Sequence, residues 1–186
     1  WSSDVCSSDL EVSFVSFLRQ NVAPNSVALD SADRQNLRAS LTANPAVQKM
    51  SQQLDGIARS FQIRQAYLQN AFGTSVADST YLDKQVSTIG HNFRTREYFS
   101  SAMETGAGFQ FVMGRVSRKP GFNFTARIDG GHGALGILIL KTDPASMSRL
   151  FTDSIGRKLA VVDNNGVVVA GNQPDMMLHQ LPGGPS

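Results

Sequence analysis

The sequence is short of the residue types that most often carry chemistry. Its 186 residues include one cysteine, Cys6, one tryptophan, Trp1, and three histidines. His91, His132 and His179 stand apart from one another and from carboxylate clusters, so they read as loop or surface residues, and no metal centre is expected. There is no Walker loop and no nucleophile elbow. Gly130-Gly131-His132-Gly133 lies between two strand patterns, without the strand-to-helix context of a phosphate cradle, and reads as a hairpin loop. No cofactor is therefore expected. No run of eighteen apolar residues is present to cross a membrane. Basic residues are scattered, so a net charge of +2 carries no nucleic-acid footprint, although acidic small ligands remain compatible with it.

The first ten residues, WSSDVCSSDL, are a separate matter. Ser2-Ser3-Asp4 and Ser7-Ser8-Asp9 echo each other around Val5-Cys6. Val5 to Leu10 back-translates to the end of a common short-read sequencing adapter, which identifies residues 1–10 as an expected library artefact. A genomic copy of these ten codons would remove the idea. Without them the chain has no cysteine, hence no disulfide framework and no thiol nucleophile, and loss of Asp4 and Asp9 raises the formal charge from +2 to +4. An adapter in front implies lost upstream sequence, and the ending Leu181-Pro182-Gly183-Gly184-Pro185-Ser186 follows a strand pattern with no closing element. Both ends are therefore expected to be truncated.

Hydrophobic periodicity divides the rest. Val12, Phe14, Val15, Phe17 and Leu18 form a helical stripe before Pro24. Leu37, Leu41, Val47, Met50, Leu54 and Ile57 continue at spacings of three and four across 31–42 and 45–61. Beyond Phe61 the period shortens, and 66–77 reads as a hairpin around Gly73. Asn92 to Ala102 reads as a short helix carrying Tyr98 and Phe99. Strands are expected at Phe109–Ser117, Phe122–Ile128 and Leu135–Lys141. Asp143 followed by Pro144 can cap a helix with Met147, Leu150 and Phe151 on its apolar face. A second hairpin runs from Lys158 to Ala170 around Asp163-Asn164-Asn165-Gly166, in which Asn-Gly is the strong turn signal. The class is α+β, with an N-terminal helical region at 11–61, a first sheet module at 62–143, and a second, incomplete module at 144–186.

Within IGHNFRTREYF, at 89–99, Arg94 and Arg96 precede an aromatic pair at a helix start. A guanidinium there can grip a carboxylate through two charge-assisted bonds, with helix amides aimed at the same anion. A solvated arginine above buried Tyr98 and Phe99 satisfies the composition equally well.

The order of several motifs then resembles the double Cache sensor domains, and among them those of four-carbon dicarboxylate sensor histidine kinases. Gly90, Asn92, Phe93, Arg96, Tyr98 and Phe99 match the glycine, asparagine, aromatic and R-x-Y-F that follow the family's first hairpin. Gly114, Ser117, Gly121, Phe122 and Phe124 match its G-x-x-S, glycine and aromatic strand. GILILKTDP supplies Gly136, Lys141 and Asp143, and Asp163, Gly166 and Val167 match the D-x-x-G-V hairpin. The resemblance covers about residues 45 to 181.

It implies a long N-terminal helix followed by PAS-like antiparallel-sheet modules, the membrane-distal one binding ligand and the second truncated. It also implies a periplasmic, ligand-sensing, non-catalytic piece of an inner-membrane receptor of the sensor histidine kinase type. The expected ligand is a small organic carboxylate. By resemblance its site is Arg96, Ser117 and Lys141, with Phe93 where the family places tyrosine and Arg115 where it often places threonine. A homodimer through the N-terminal helix, or an intramolecular use of the same stripe, are both open. Alternative readings are the Cache sensor of a diguanylate cyclase or chemoreceptor, a ligand-free structural or dimerisation module, and an enzyme with a PAS-like fold.

Overall fold

A computed structural model describes residues 3–21, 29, 31–149, 157–163 and 165–181. Pro24, Leu150, Phe151, Asn164 and 182–186, which entered the expectations above, lie outside the described residues. Three helices come first: α1 (Ser3–Gln20), α2 (Ser31–Ala43) and α3 (Pro45–Ser60). In α3 the Asn44 side chain accepts from the Ala46 amide at 2.9 Å and Pro45 occupies the first turn, an N-terminal arrangement that satisfies an otherwise orphaned donor. Val47, Met50, Leu54 and Ala58 then recur on one buried face. Burying side chains such as Leu54 contributes roughly 1.5–3 kcal/mol each.

That face packs on a five-stranded antiparallel sheet made of β1 (Gln65–Asn70), β2 (Ser75–Asp78), β3 (Ala107–Met113), β4 (Pro120–Asp129) and β5 (Ala134–Thr142), in the order β2-β1-β5-β4-β3. Side chains alternate across the sheet. On the helix side, Ala66, Leu68, Val76, Ala77, Ile128, Leu138 and Leu140 meet Phe14, Phe17, Leu18, Val47 and Leu54. On the other side, Tyr67, Ile137 and Ile139 meet Phe93, Tyr98, Phe99 and Ala102. The last three of these belong to α4 (Glu97–Thr105), which ends on Gly106 in the left-handed conformation at φ 94°. Covered on both faces, β1 is buried along its whole length.

The stripe on α1 is therefore used within the chain: Phe14, Phe17 and Leu18 are buried, whereas Val12 is 67% exposed. The expected helix from Asn92 begins only at Glu97. The reason is hydrogen bonding across to the β1–β2 turn: the Asn92 side-chain amide donates to the Phe72 carbonyl at 2.9 Å and to Thr74 Oγ1 at 3.2 Å, and accepts from the Arg94 backbone amide at 3.0 Å. This pins 92–95 against the β1–β2 turn instead of releasing it into a helix. The contact is close, for a Cβ on Gly73 would lie 2.7 Å from the Arg94 nitrogen, and Gly73 has φ 78°. The strand expected to reach Ser117 stops at Met113 for a similar reason, because Gly114 and Arg118 close a turn through a 3.0 Å backbone bond.

After β5, Asp143 caps α5 (Pro144–Ser148) by accepting from the Ser146 amide at 2.7 Å, as its sequence suggests. The second hairpin pairs β6 (Ala160–Val162) with β7 (Val168–Gly171). Val169 and Ala170 pack on Phe122 of β4, together with Phe111, Met147 and Val161. Thus β4 carries the second hairpin on one face and, as shown next, a polar cleft on the other.

Candidate functional site

The cleft opens on the α4 side of the sheet. It is lined by Tyr67 of β1, Phe93, Arg96 and Tyr98 around the start of α4, Asn123 of β4, Lys141 of β5, and the turn from Gly114 to Ser117. Phe93, Arg96, Arg115, Ser117 and Lys141, singled out in the sequence, all meet here. Its enclosed space is small, about 20 Å3, close to the least that accommodates one water. An organic ligand therefore requires side chains to move aside.

Arg96 is the N-cap residue of α4, with extended backbone at φ −84° and ψ 136°, and its side chain does not cap the helix. The guanidinium instead reaches over the cleft and donates from Nη2 to the Met113 carbonyl at 3.3 Å. Arg115 crosses from the opposite rim, donating from Nη1 to the Asn92 carbonyl at 3.0 Å, with its guanidinium 5.7 Å from the Phe93 ring centroid. Phe93 offers no hydroxyl and serves as the platform under that cation.

Lys141 is buried, 5% exposed, and its Nζ donates to Ser117 Oγ at 3.3 Å. Two motif glycines make the room. A Cβ on Gly114 would meet Ser117 Oγ at 2.5 Å and Lys141 Nζ at 2.7 Å, and one on Gly121 would meet Lys141 Cε at 2.7 Å. Burial away from water, reinforced by the guanidinium groups of Arg64 and Arg96, lowers the Lys141 ammonium to about 8, against the opposing pull of Asp78. No carboxylate lines the cleft among the described residues.

Asp78, the acid whose charge acts on Lys141, is already committed. Its Oδ1 accepts from the Thr80 amide and hydroxyl at 2.8 and 2.9 Å. Its Oδ2 accepts from the Thr88 amide and hydroxyl, each at 2.6 Å, and from Gln65 Nε2 at 2.8 Å. It is a buried structural hub that fixes 78–88 beside the cleft.

Behind Arg96, the Tyr67 and Tyr98 hydroxyls lie 3.4 Å apart and Gln69 Nε2 donates to Tyr98 at 3.4 Å. Burial holds both phenols above their ordinary range, so they remain protonated at neutral pH. His91 is half-buried rather than on the surface; burial and the positive charge of Arg38 and Arg115 lower its pKa, leaving the ring neutral at pH 7. Among the described residues no cluster of His, Cys, Asp or Glu has metal-binding geometry.

The sequence is 30% identical over 156 residues to the C4-dicarboxylate transport sensor protein DctB of Rhizobium meliloti, covering 84% of this chain and 24% of that protein. DctB of Pseudomonas aeruginosa is 30% identical over 137 residues, 73% of this chain and 22% of that protein. The solved sensor domain of the V. cholerae histidine kinase DctB superposes with a TM-score of 0.66 at 19% identity, over 97% of this chain and 66% of that one. The chain is a DctB-like sensor domain of the Cache type. No family model matches the sequence.

The sensor domain spans about a quarter of the length of these curated relatives. Its fold is shared more widely: the ligand-binding domain of the Pseudomonas aeruginosa amino acid chemoreceptor PctC, solved with GABA, gives a TM-score of 0.56 at 16% identity over 92% of this chain and 75% of that one. These solved neighbours are sensor and ligand-binding domains. Sequence reasoning assigned no part of this cleft to Tyr67, Thr88 or Asn123 and gave Tyr98 to the core, since a polar or aromatic residue alternating along a strand has the same pattern on a site face and on a solvent face.

Proposed function

We propose that the sensor domain is the periplasmic, ligand-binding part of a transmembrane sensor histidine kinase and that it recognises a small organic carboxylate in the cleft of 62–143. Arg96, Arg115 and Lys141 supply the cations, Ser117 a hydroxyl and Phe93 the apolar floor. The observation that carries this reading is the convergence of these three cations on one cleft that no carboxylate lines among the described residues. A buried charge favours a partner of opposite sign, and an entering dianion supplies it.

Ligand entry moves Arg96 and Arg115 off the carbonyls they now hold and shifts the β4 edge beside Lys141. Because Phe122, next in sequence to Asn123, packs under Val169 and Ala170 on the opposite face, β4 couples the cleft to the second module at 144–186. The ligand biases that coupling only through contacts that differ between the two states. The helical region 11–61 braces the far side of the sheet and carries the exposed Val12 edge through which two copies would pair.

Thermal melting with a panel of mono-, di- and tricarboxylates tests the proposal. At a hundredfold excess over its Kd, a true ligand adds about 2.7 kcal/mol, which for a chain of this size raises the midpoint by roughly 5–10 °C. No shift with any carboxylate would overturn it.

The reading also has a pH signature. The ammonium form of Lys141 is the one that binds an anion, and in the free protein it is lost above about pH 8. Affinity is expected to be flat below pH 8 and to fall above it by up to about tenfold per pH unit, with proton uptake on binding in the same window. The free protein behaves oppositely. Since folding lowers this pKa from 10.5 to about 8, the unfolded chain holds more protons between these values, and this group adds stability as pH rises from 8 to 10.5. Calorimetric titration from pH 6.5 to 9.5 measures the first effect.

A further inference from the structure

One polar side chain in the cleft has nothing to do. Asn123 is 2% exposed, lines the cleft, and its Oδ1 has no hydrogen-bond partner. It stands on β4 directly across from Lys141 on β5, so the two side chains are neighbours on the same face of the sheet. The adjacent inward residues are occupied: Thr125 Oγ1 donates to the Tyr98 carbonyl at 3.1 Å, and Lys141 donates to Ser117 at 3.3 Å. A buried amide left idle in the lining of the cleft, beside the lysine for which Gly114 and Gly121 make room, is the mark of a group waiting for a partner from outside.

Resting on the carboxylate reading above, we infer that Asn123 is a specificity-determining residue that selects carboxylates bearing a hydroxyl group next to a carboxylate, that is, 2-hydroxy dicarboxylates in preference to unsubstituted ones. The carboxylates go to Arg96, Arg115 and Lys141. The position beside Lys141 then faces an amide that offers an acceptor and a donor, and a hydroxyl satisfies either end. An ammonium group in the same place would donate equally well, but it would lie among three cations, so the charge of the site disfavours amino dicarboxylates. An unsubstituted dicarboxylate closes the cleft over Asn123 and leaves its amide unpaired.

The test is calorimetric titration of the unmodified chain with malate, succinate, aspartate and 2-methoxysuccinate, the last keeping the oxygen but losing its proton. Malate is expected to bind at least about tenfold more tightly than the other three. In Asn123→Leu the malate preference is expected to fall within about threefold of succinate. Equal affinity for malate and succinate overturns the inference, as does a malate preference that persists in Asn123→Leu. If that variant does not fold, the methoxysuccinate comparison on the unmodified chain decides, and binding as tight as malate counts against Asn123. Binding of carboxylates without hydroxyl selection sinks only this inference; no binding by any of them sinks the carboxylate reading with it.

Discussion

Lys141→Met is expected to weaken carboxylate binding by roughly a hundredfold or more while leaving the free protein as stable as before or more so. The two halves of that expectation have one cause. The ammonium is buried, rests on a single neutral hydroxyl, and has no carboxylate at hydrogen-bond distance among the described residues. In the free protein its burial costs desolvation, and methionine fills the same volume beside Gly114 and Gly121 without that cost. In the complex, losing one member of a desolvated, hydrogen-bonded charge pair removes about 3 kcal/mol, equivalent to two orders of magnitude in Kd. Calorimetry gives the affinity and thermal melting the stability. Affinity within threefold of the parent would show that the ligand is held elsewhere, and a large drop in melting point would show that Lys141 is a structural group.

Asp78→Ala is expected to damage the fold rather than the ligand chemistry. The carboxylate collects five donors from Gln65, Thr80 and Thr88, all close to the junction of β1, β2 and the 78–88 segment. The Asp78 amide in turn donates to Ser51 Oγ of α3 at 3.1 Å, which ties the helix layer to the sheet at the same residue. Removing the carboxylate strands two backbone amides, that of Thr88 buried and that of Thr80 part-buried, at a cost of about 3–5 kcal/mol. The melting midpoint is expected to drop by roughly 10 °C or more. Urea unfolding followed by circular dichroism measures it, and a loss below about 1 kcal/mol would show that water replaces the carboxylate at little cost.

The two variants separate two kinds of buried charge that sequence cannot tell apart. Asp78 and Lys141 each occupy a strand end, and each is polar among apolar neighbours. Asp78 is saturated with donors and holds the frame; Lys141 is nearly unpartnered and available to a ligand.

Local rules accounted for much of the architecture. Asn44-Pro45 and Asp143-Pro144 start helices where their side chains cap them, and the three-and-four spacing from Val47 to Ala58 gives the buried face of α3. Arg96, Ser117 and Lys141 are expected together only through the family resemblance; what the structure adds is that Gly114 and Gly121 leave the space in which the Lys141 side chain lies. Where the reading failed, a nonlocal bond competed with a local pattern. Asn92 bonds back across the β1–β2 turn and delays α4 to Glu97, against the helical pattern that begins at 92.

The clearest limit is β4. Its pattern Phe122-Asn123-Phe124-Thr125 suggests aromatic side chains facing inward and polar ones facing water, yet Asn123 and Thr125 are buried while Phe124 is 41% exposed. Alternation fixes that two faces differ but not which one is covered. That choice depends on α4 and Tyr98 lying over one side and the second hairpin reaching only Phe122 on the other. The sequence by itself determined the element types, the caps and turns, and the spacing of the cationic motif, because these depend on neighbours within a few residues. Only the tertiary structure decided that Lys141 is buried beside Ser117, that Asp78 is spent on the frame, and that Asn123 faces the cleft unpaired, because each depends on which strands and helices meet across tens of residues of chain.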